Sequence, residues 1–231
     1  MNYTTLLLAE EVSEKTIDLV SLISICAVAA LLLILSCVCL WGKNFNTKKI
    51  VYAALSVALS FALSFIKIAP VTYGGSITLA SMVPLMIYAY CYGPISGLVT
   101  GLVYGVLQFV QDPYILVPIT FVLDYLLAFC GFFFMGLMGK LMHRESGKEL
   151  APVLIGCGLT YAWRFVMHLF SGFVYFDMGA IWVNLPTTSA LTYSFLYQAV
   201  YLIPDFIISF FALWLLCKKQ TFSRLSDLIK S

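Results

Sequence analysis

The sequence predicts an all-α integral membrane protein, and three observations carry that expectation. Of its 231 residues, 62% are hydrophobic and only 10% are charged, which excludes an ordinary soluble domain and a disordered chain alike. At about 20 apolar residues per membrane-spanning helix, the length holds six or seven spans and leaves no room for a soluble catalytic domain. Basic residues collect between alternate spans, as the positive-inside rule requires. A formal charge of +2 is too small to point to nucleic acid as a partner.

The first span runs from Ile17 to Leu40. It is preceded by Glu10, Glu11, Glu14 and Asp18 against Lys15 alone, the reverse of the basic start of a signal peptide. It is followed by Lys43, Lys48 and Lys49, which places the N-terminus outside and this loop in the cytoplasm. Six further spans are expected at Ile50 to Ile68, Ile77 to Tyr92, Pro94 to Val110, Val117 to Gly139, Ala151 to Tyr175 and Ala190 to Cys217. Alternation then sets Lys140, Arg144, Lys148, Lys218, Lys219, Arg224 and Lys230 on the cytoplasmic side, so that side gathers ten of the thirteen Lys and Arg residues. The outer loops, near Ala69 to Ser76, Gln111 to Leu116 and Phe176 to Ser189, contain no Lys or Arg and hold Asp112 and Asp177. A six-span count would reverse half of this pattern.

Two stripes of small residues stand out. Gly97, Gly101 and Gly105 recur every four residues, as do Ala54, Ala58 and Ala62. Such spacing serves either internal helix packing or the docking of another membrane protein. The seven cysteines lie within apolar runs with no CxxC or Cys/His grouping, so they read as packing residues, with no metal site and no disulfide expected. Trp41 and Trp214 fall near inner interfaces, Trp163 reads as packing, and Trp182 lies in the long outer loop.

Ionisable side chains inside spans cost roughly 2.5–3.5 kcal/mol on insertion scales and tend to mark function. There are four, Asp124, Arg164, His168 and Asp205. At about 1.5 Å of rise per residue, Asp124 lies roughly 10 Å below the outer end of its span. Arg164 and His168 share one face of the next helix, and Gly172 continues it. Tyr193, Tyr197 and Gln198 enter at similar depth, and Tyr114 precedes Asp124 in the outer loop. Two arrangements fit these residues. One is an outward-open pocket for a small aromatic cation, whose charge suits aromatic faces and a carboxylate. In the other, Asp124 simply pairs with Arg164 and the tyrosines form an interfacial belt. Asp205, after Pro204 and deeper, reads as a structural partner, with a coupling role open.

Four stretches carry a family resemblance: YGGSITLASMVP from Tyr73 to Pro84, GLVTGLVYGVLQF from Gly97 to Phe109, YILVPITFVLDY from Tyr114 to Tyr125 and HLFSG from His168 to Gly172. Together they resemble the thiamine-specific substrate-binding subunit, or S component, of energy-coupling factor transporters, the ThiT family, over Ile50 to Cys217. The resemblance implies a six-helix transmembrane S-component core, here with one extra N-terminal transmembrane helix. Such a core binds thiamine from outside and docks on a transmembrane coupling protein with two ATPases. The implied ligand-binding residues are Tyr114, Asp124, Tyr125, His168, Gly172, Phe176, Tyr193 and Gln198, and the implied docking face is Ala54, Ala58 and Ala62. Asp124 stands where the family usually has Glu, Gln198 where it often has Asn, and Phe176 where some members have Trp. The first outer loop lacks a tryptophan that some members have, with Tyr73 in that stretch.

The resulting domain division is residues 1–49 for the tail, extra helix and basic loop, 50–217 for the binding domain, and 218–231 for a cytoplasmic tail. No catalytic activity and no cofactor are expected, since no GxxxxGK[ST] phosphate loop is present and ATP hydrolysis would fall to partners. Thiamine precursors remain alternative ligands. A proton-coupled secondary transporter using Asp124, His168 and Asp205 is a competing reading, which would usually show an internal repeat. An intramembrane enzyme finds no support, because HExxH is absent and Ser171 has no positioned base.

Overall fold

Asn46, in extended conformation, caps the start of helix α1, Thr47–Ser64, and accepts the Lys49 N–H at 2.9 Å. Ile50, Val51, Leu55 and Leu59 on α1 remain at least half exposed, as befits a helix turned toward lipid or a partner. The computed structural model describes residues 46–70, 75–113, 118–142, 149–177, 189–219 and 221–230. The expected span from Ile17 to Leu40, together with Trp41, Tyr73, Tyr114 and Trp182, lies outside these residues.

The stretch expected as one span from Ile77 to Tyr92 is divided. Lys67–Pro70 (β1) and Ser76–Thr78 (β2) form an antiparallel hairpin, with Lys67 opposite Thr78 and a bulge before Ala69. Ala80 turns at φ 53°, and helix α2 begins only at Val83 and ends at Tyr92. The physical reason is local. Thr78 commits its backbone N–H to a side chain on another helix, and Pro84, which lacks an N–H, suits only a first turn. Every residue of α2 from Val83 to Tyr90 is buried, so this short helix is the centre of the bundle.

Gly93, at φ 91°, breaks α2 from α3, Pro94–Gln111, in a backbone region that favours glycine. The next crossing is irregular. It comprises α4 (Pro118–Phe121), a π-helical turn over Val122–Leu127, a 3-10 turn over Phe129–Gly131 and α5, Phe132–Met142. The glycine stripe on α3 explains how this crossing sits. A Cβ on Gly97, Gly101 or Gly105 would collide with the backbone carbonyls of Phe132, Phe129 and Tyr125 respectively. The stripe is therefore internal packing. Helices α6, Leu150–Asp177, and α7, Ala190–Lys218, pack along each other, with Pro204 inside α7.

Among the described residues five helices are long and apolar enough to cross a membrane, and α2 is a shorter apolar helix beside them. This is a multi-pass membrane protein. The segment after Lys218 forms an amphipathic helix, α8, Thr221–Lys230, folded against the end of α2. Phe222 is fully buried edge-on to Tyr90 at 5.2 Å, and the Ser223 hydroxyl donates to Glu149 at 2.6 Å. None of the four described cysteines forms a disulfide, and no group of three metal-ligating side chains occurs among the described residues.

Candidate functional site

Asp124 projects from the π-helical turn, where the Ala128 N–H reaches back five residues to the Leu123 carbonyl at 3.0 Å. Such a turn widens the helix by one residue and re-aims its side chains, and it frequently occurs at functional sites. Tyr125, whose carbonyl rests on Gly105, follows Asp124 in this turn. Asp124 Oδ1 lies 2.7 Å from His168 Nδ1, and Asp124 Oδ2 accepts the Ser171 hydroxyl at 2.5 Å. Both donors come from one face of α6. The Asp124 and His168 side chains keep 16% and 11% of their surface, so the pair is sheltered and still reachable.

A wall of α7 residues stands behind this pair. Tyr193, Tyr197 and Tyr201 are buried, and the Tyr201 ring meets the His168 ring edge-on at 6.1 Å. Gln198 Nε2 donates to the His168 carbonyl at 3.1 Å, while its Oε1 accepts the Tyr201 hydroxyl. Gly172 makes this approach possible, because a Cβ there would press on Ser194 and come within 3.2 Å of Gln198 Nε2. At the other edge the Tyr125 hydroxyl donates to the Asp112 carbonyl at 2.7 Å, tying the π turn to the end of α3.

A second carboxylate lies one layer deeper. Asp205 Oδ1 accepts the Thr78 N–H at 3.1 Å and the Thr78 hydroxyl at 2.9 Å, and Oδ2 accepts the Tyr161 hydroxyl at 2.8 Å. Arg164 Nη1 stands 3.6 Å from Asp205 Oδ2 and donates to Met82 Sδ at 3.0 Å, with its guanidinium 4.9 Å above the Phe129 ring. Arg164 Nε donates to His168 Nε2 at 3.3 Å, which links the two layers. Asp205 is thus a fully engaged structural centre joining the hairpin, α6 and α7. The arrangement in which Asp124 pairs with Arg164 is not the one adopted, because Asp205 holds the guanidinium. A separate groove of about 570 Å³, lined by Tyr90, Tyr92, Pro94 and Lys140, lies at the α8 end, away from this cluster.

The profile of the thiamine transporter protein family (Thia_YuaJ) matches residues 50–224. The chain belongs to the thiamine transporter family. It is 29% identical over 154 residues to the thiamine transporter ThiT of Bacillus subtilis (strain 168), covering 62% of this chain and 75% of that protein. The solved structure of ThiT from Listeria monocytogenes superposes with a TM-score of 0.62 at 21% identity, over 74% of this chain and 93% of the other, and shares its fold.

Within this thiamine transporter, Asp124, Tyr125, His168, Gly172, Tyr193 and Gln198 fall in the layer just described, while Tyr114 lies outside the described residues. Phe176 belongs to the last turn of α6. Ser171, Ser194 and Tyr201 complete the cluster and were not singled out as site residues by the sequence. Ser171 had a usable signal, since it lies three residues after His168 and so shares its helix face. Tyr201 had one as well, four residues after Tyr197 on α7.

Proposed function

We propose that this protein is the substrate-binding subunit of an energy-coupling factor importer, which takes one thiamine cation from outside and passes it inward when docked on an ATP-driven module. The observation that carries the reading is a charge imbalance. The cluster holds two carboxylates, Asp205 paired with the single guanidinium of Arg164 and Asp124 paired with His168, so with a neutral imidazole it carries a formal charge of −1 in surroundings where an unbalanced charge is costly. One monocation restores neutrality. Thiamine brings a fixed positive charge on its thiazolium ring and an amine on its pyrimidine. Asp124 is assigned to the amine. Tyr125 and Tyr193, with Tyr114 and Phe176, are assigned to the aromatic faces that attract the cation. His168, Gly172 and Gln198 shape the wall between them.

The hairpin end of the bundle is assigned to the exterior of the plasma membrane, with the N-terminus outside and the C-terminus in the cytoplasm, as the Lys and Arg distribution favours. Residues 50–217 form the binding domain in this reading, residues 1–49 add a helix, and 218–231 face the cytoplasm. Ala54, Ala58 and Ala62 are exposed on α1 and are assigned to the transmembrane coupling protein, whose backbone could approach small side chains closely. Two ATPases on that module would supply the energy.

Isothermal titration of the detergent-purified chain tests the binding claim, with thiamine as ligand and thiamine monophosphate and riboflavin as comparisons. Saturable one-to-one binding of thiamine is expected, with Asp124→Asn weakening it at least about tenfold through loss of a charge-assisted bond. Equal binding by that variant would remove Asp124 from the site. Ala58→Leu should abolish association with the coupling module and leave thiamine binding intact.

A further inference from the structure

We propose that Arg164 is a positioning residue that fixes His168 as the neutral Nδ1–H tautomer, and so keeps a second positive charge away from the bound cation. The donor and acceptor geometry carries this. A guanidinium has only N–H donors, so His168 Nε2, receiving the Arg164 Nε–H at 3.3 Å, must be the unprotonated ring nitrogen. The proton then resides on Nδ1, which donates to Asp124 Oδ1 at 2.7 Å. An imidazolium in the same place would set its Nε2–H against the Arg164 N–H, two donors and two positive charges face to face.

The guanidinium is not free to turn aside. Asp205, Met82 and the Phe129 ring hold it from three sides. Among the described residues, Arg164 from its own helix, Asp124 from the π turn and Tyr201 from α7 face the His168 ring, while Asp205 acts through Arg164. Asp124 alone would accept a hydrogen bond from Nδ1–H of either the neutral ring or the imidazolium. Arg164 is the group that selects between them. The benefit to the ligand rests on thiamine occupying this site, whereas the tautomer itself does not depend on that reading.

The test uses the full chain in detergent, labelled with 15N-histidine. Only two histidines are present, His143 and His168, so a His143→Gln variant assigns the signals. The parent should show a protonated Nδ1 and an unprotonated Nε2 for His168 near neutral pH. A protonated Nε2 in the parent overturns the proposal without any variant. Arg164→Met combined with Asp205→Asn keeps the cluster's formal charge and avoids an unpaired carboxylate. It should lose the single unprotonated Nε2 signal, because Asp124 accepts from Nδ1 of the imidazolium as readily as from the neutral ring, and weaken thiamine binding at least about fivefold. Arg164→Lys, which retains a charged donor, should keep Nε2 unprotonated. An unchanged Nε2 signal in the double variant would overturn the proposal. Correct tautomers in a parent that binds no thiamine would instead refute the ligand assignment and leave the role of Arg164 standing.

Discussion

Arg164 and Asp205 face each other at 3.6 Å between α6 and α7, which leaves Asp124 to His168 and Ser171. Because Asp205 also receives both donors of Thr78 and the Tyr161 hydroxyl, it joins three elements through one carboxylate. Asp205→Ala leaves the part-buried Arg164 charge unpaired and strips Thr78 and Tyr161 of an acceptor. The expected loss is about 3–5 kcal/mol, the usual result of removing one partner of a buried pair. Thermal unfolding in detergent, followed by intrinsic fluorescence, reads it. Asp205→Asn keeps an acceptor for Thr78 and should lose less. Equal melting of the parent and the alanine variant would deny the network any structural role.

The π turn that aims Asp124 depends on the absence of a side chain at Gly105. Gly105→Leu should push the Tyr125 carbonyl away, costing at least about 1–3 kcal/mol of stability by overpacking and reducing thiamine binding with it. Gly158 is the control, because a Cβ there meets nothing within 4 Å. Gly158→Ala, inside helix α6, should raise stability by about 0.5–1 kcal/mol and leave binding unchanged. Indifference of binding to a leucine at position 105 would separate the glycine stripe from the site.

Ser171 gives Asp124 one of its two donors. Ser171→Ala should weaken thiamine binding about two- to tenfold, less than Asp124→Asn, because a hydrogen bond to a charged group is lost while the charge remains. Titration calorimetry on both variants ranks them. A larger effect from Ser171→Ala than from Asp124→Asn would reverse the assignment of the carboxylate as the main ligand contact.

Helix α8 docks through Phe222 on Tyr90 and Ser223 on Glu149, at the end of the bundle opposite the site. Phe222→Ala should detach it locally without unfolding the core, since elements with separate contacts open separately. Faster cleavage after Lys218 and Lys219 by trypsin is expected, with thiamine affinity within twofold of the parent. An affinity loss of tenfold would reveal coupling between the two ends.

The long spans were legible because apolar runs in this sequence end at charges or prolines. Helices α3, α6 and α7 begin and end within about two residues of the expected limits. The stretch Ile77 to Tyr92 read as a helix because its residues are uniformly apolar. Nothing local reveals that Thr78 will meet Asp205, 127 positions away. Likewise Val122–Leu127 looks like ordinary helix, and the π turn accompanies a close approach to Gly105 on another element. Asp124 and His168 could be found from the cost of ionisable groups in lipid. The partner of Arg164 could not, since two carboxylates lay within its reach and only the packing of α6 against α7 decides between them.

Ten residues of α2 measure about 15 Å at 1.5 Å per residue, against roughly 30 Å of hydrocarbon. The remainder of that crossing is made by the hairpin and the turn at Ala80. Strand edges and turns cannot be solvated by acyl chains, and at membrane depth they persist only against protein or water. The hairpin meets that condition on its inner side, where Thr78 gives both of its donors to Asp205. A cation following the proposed route would then exchange its water shell for protein groups rather than for acyl chains.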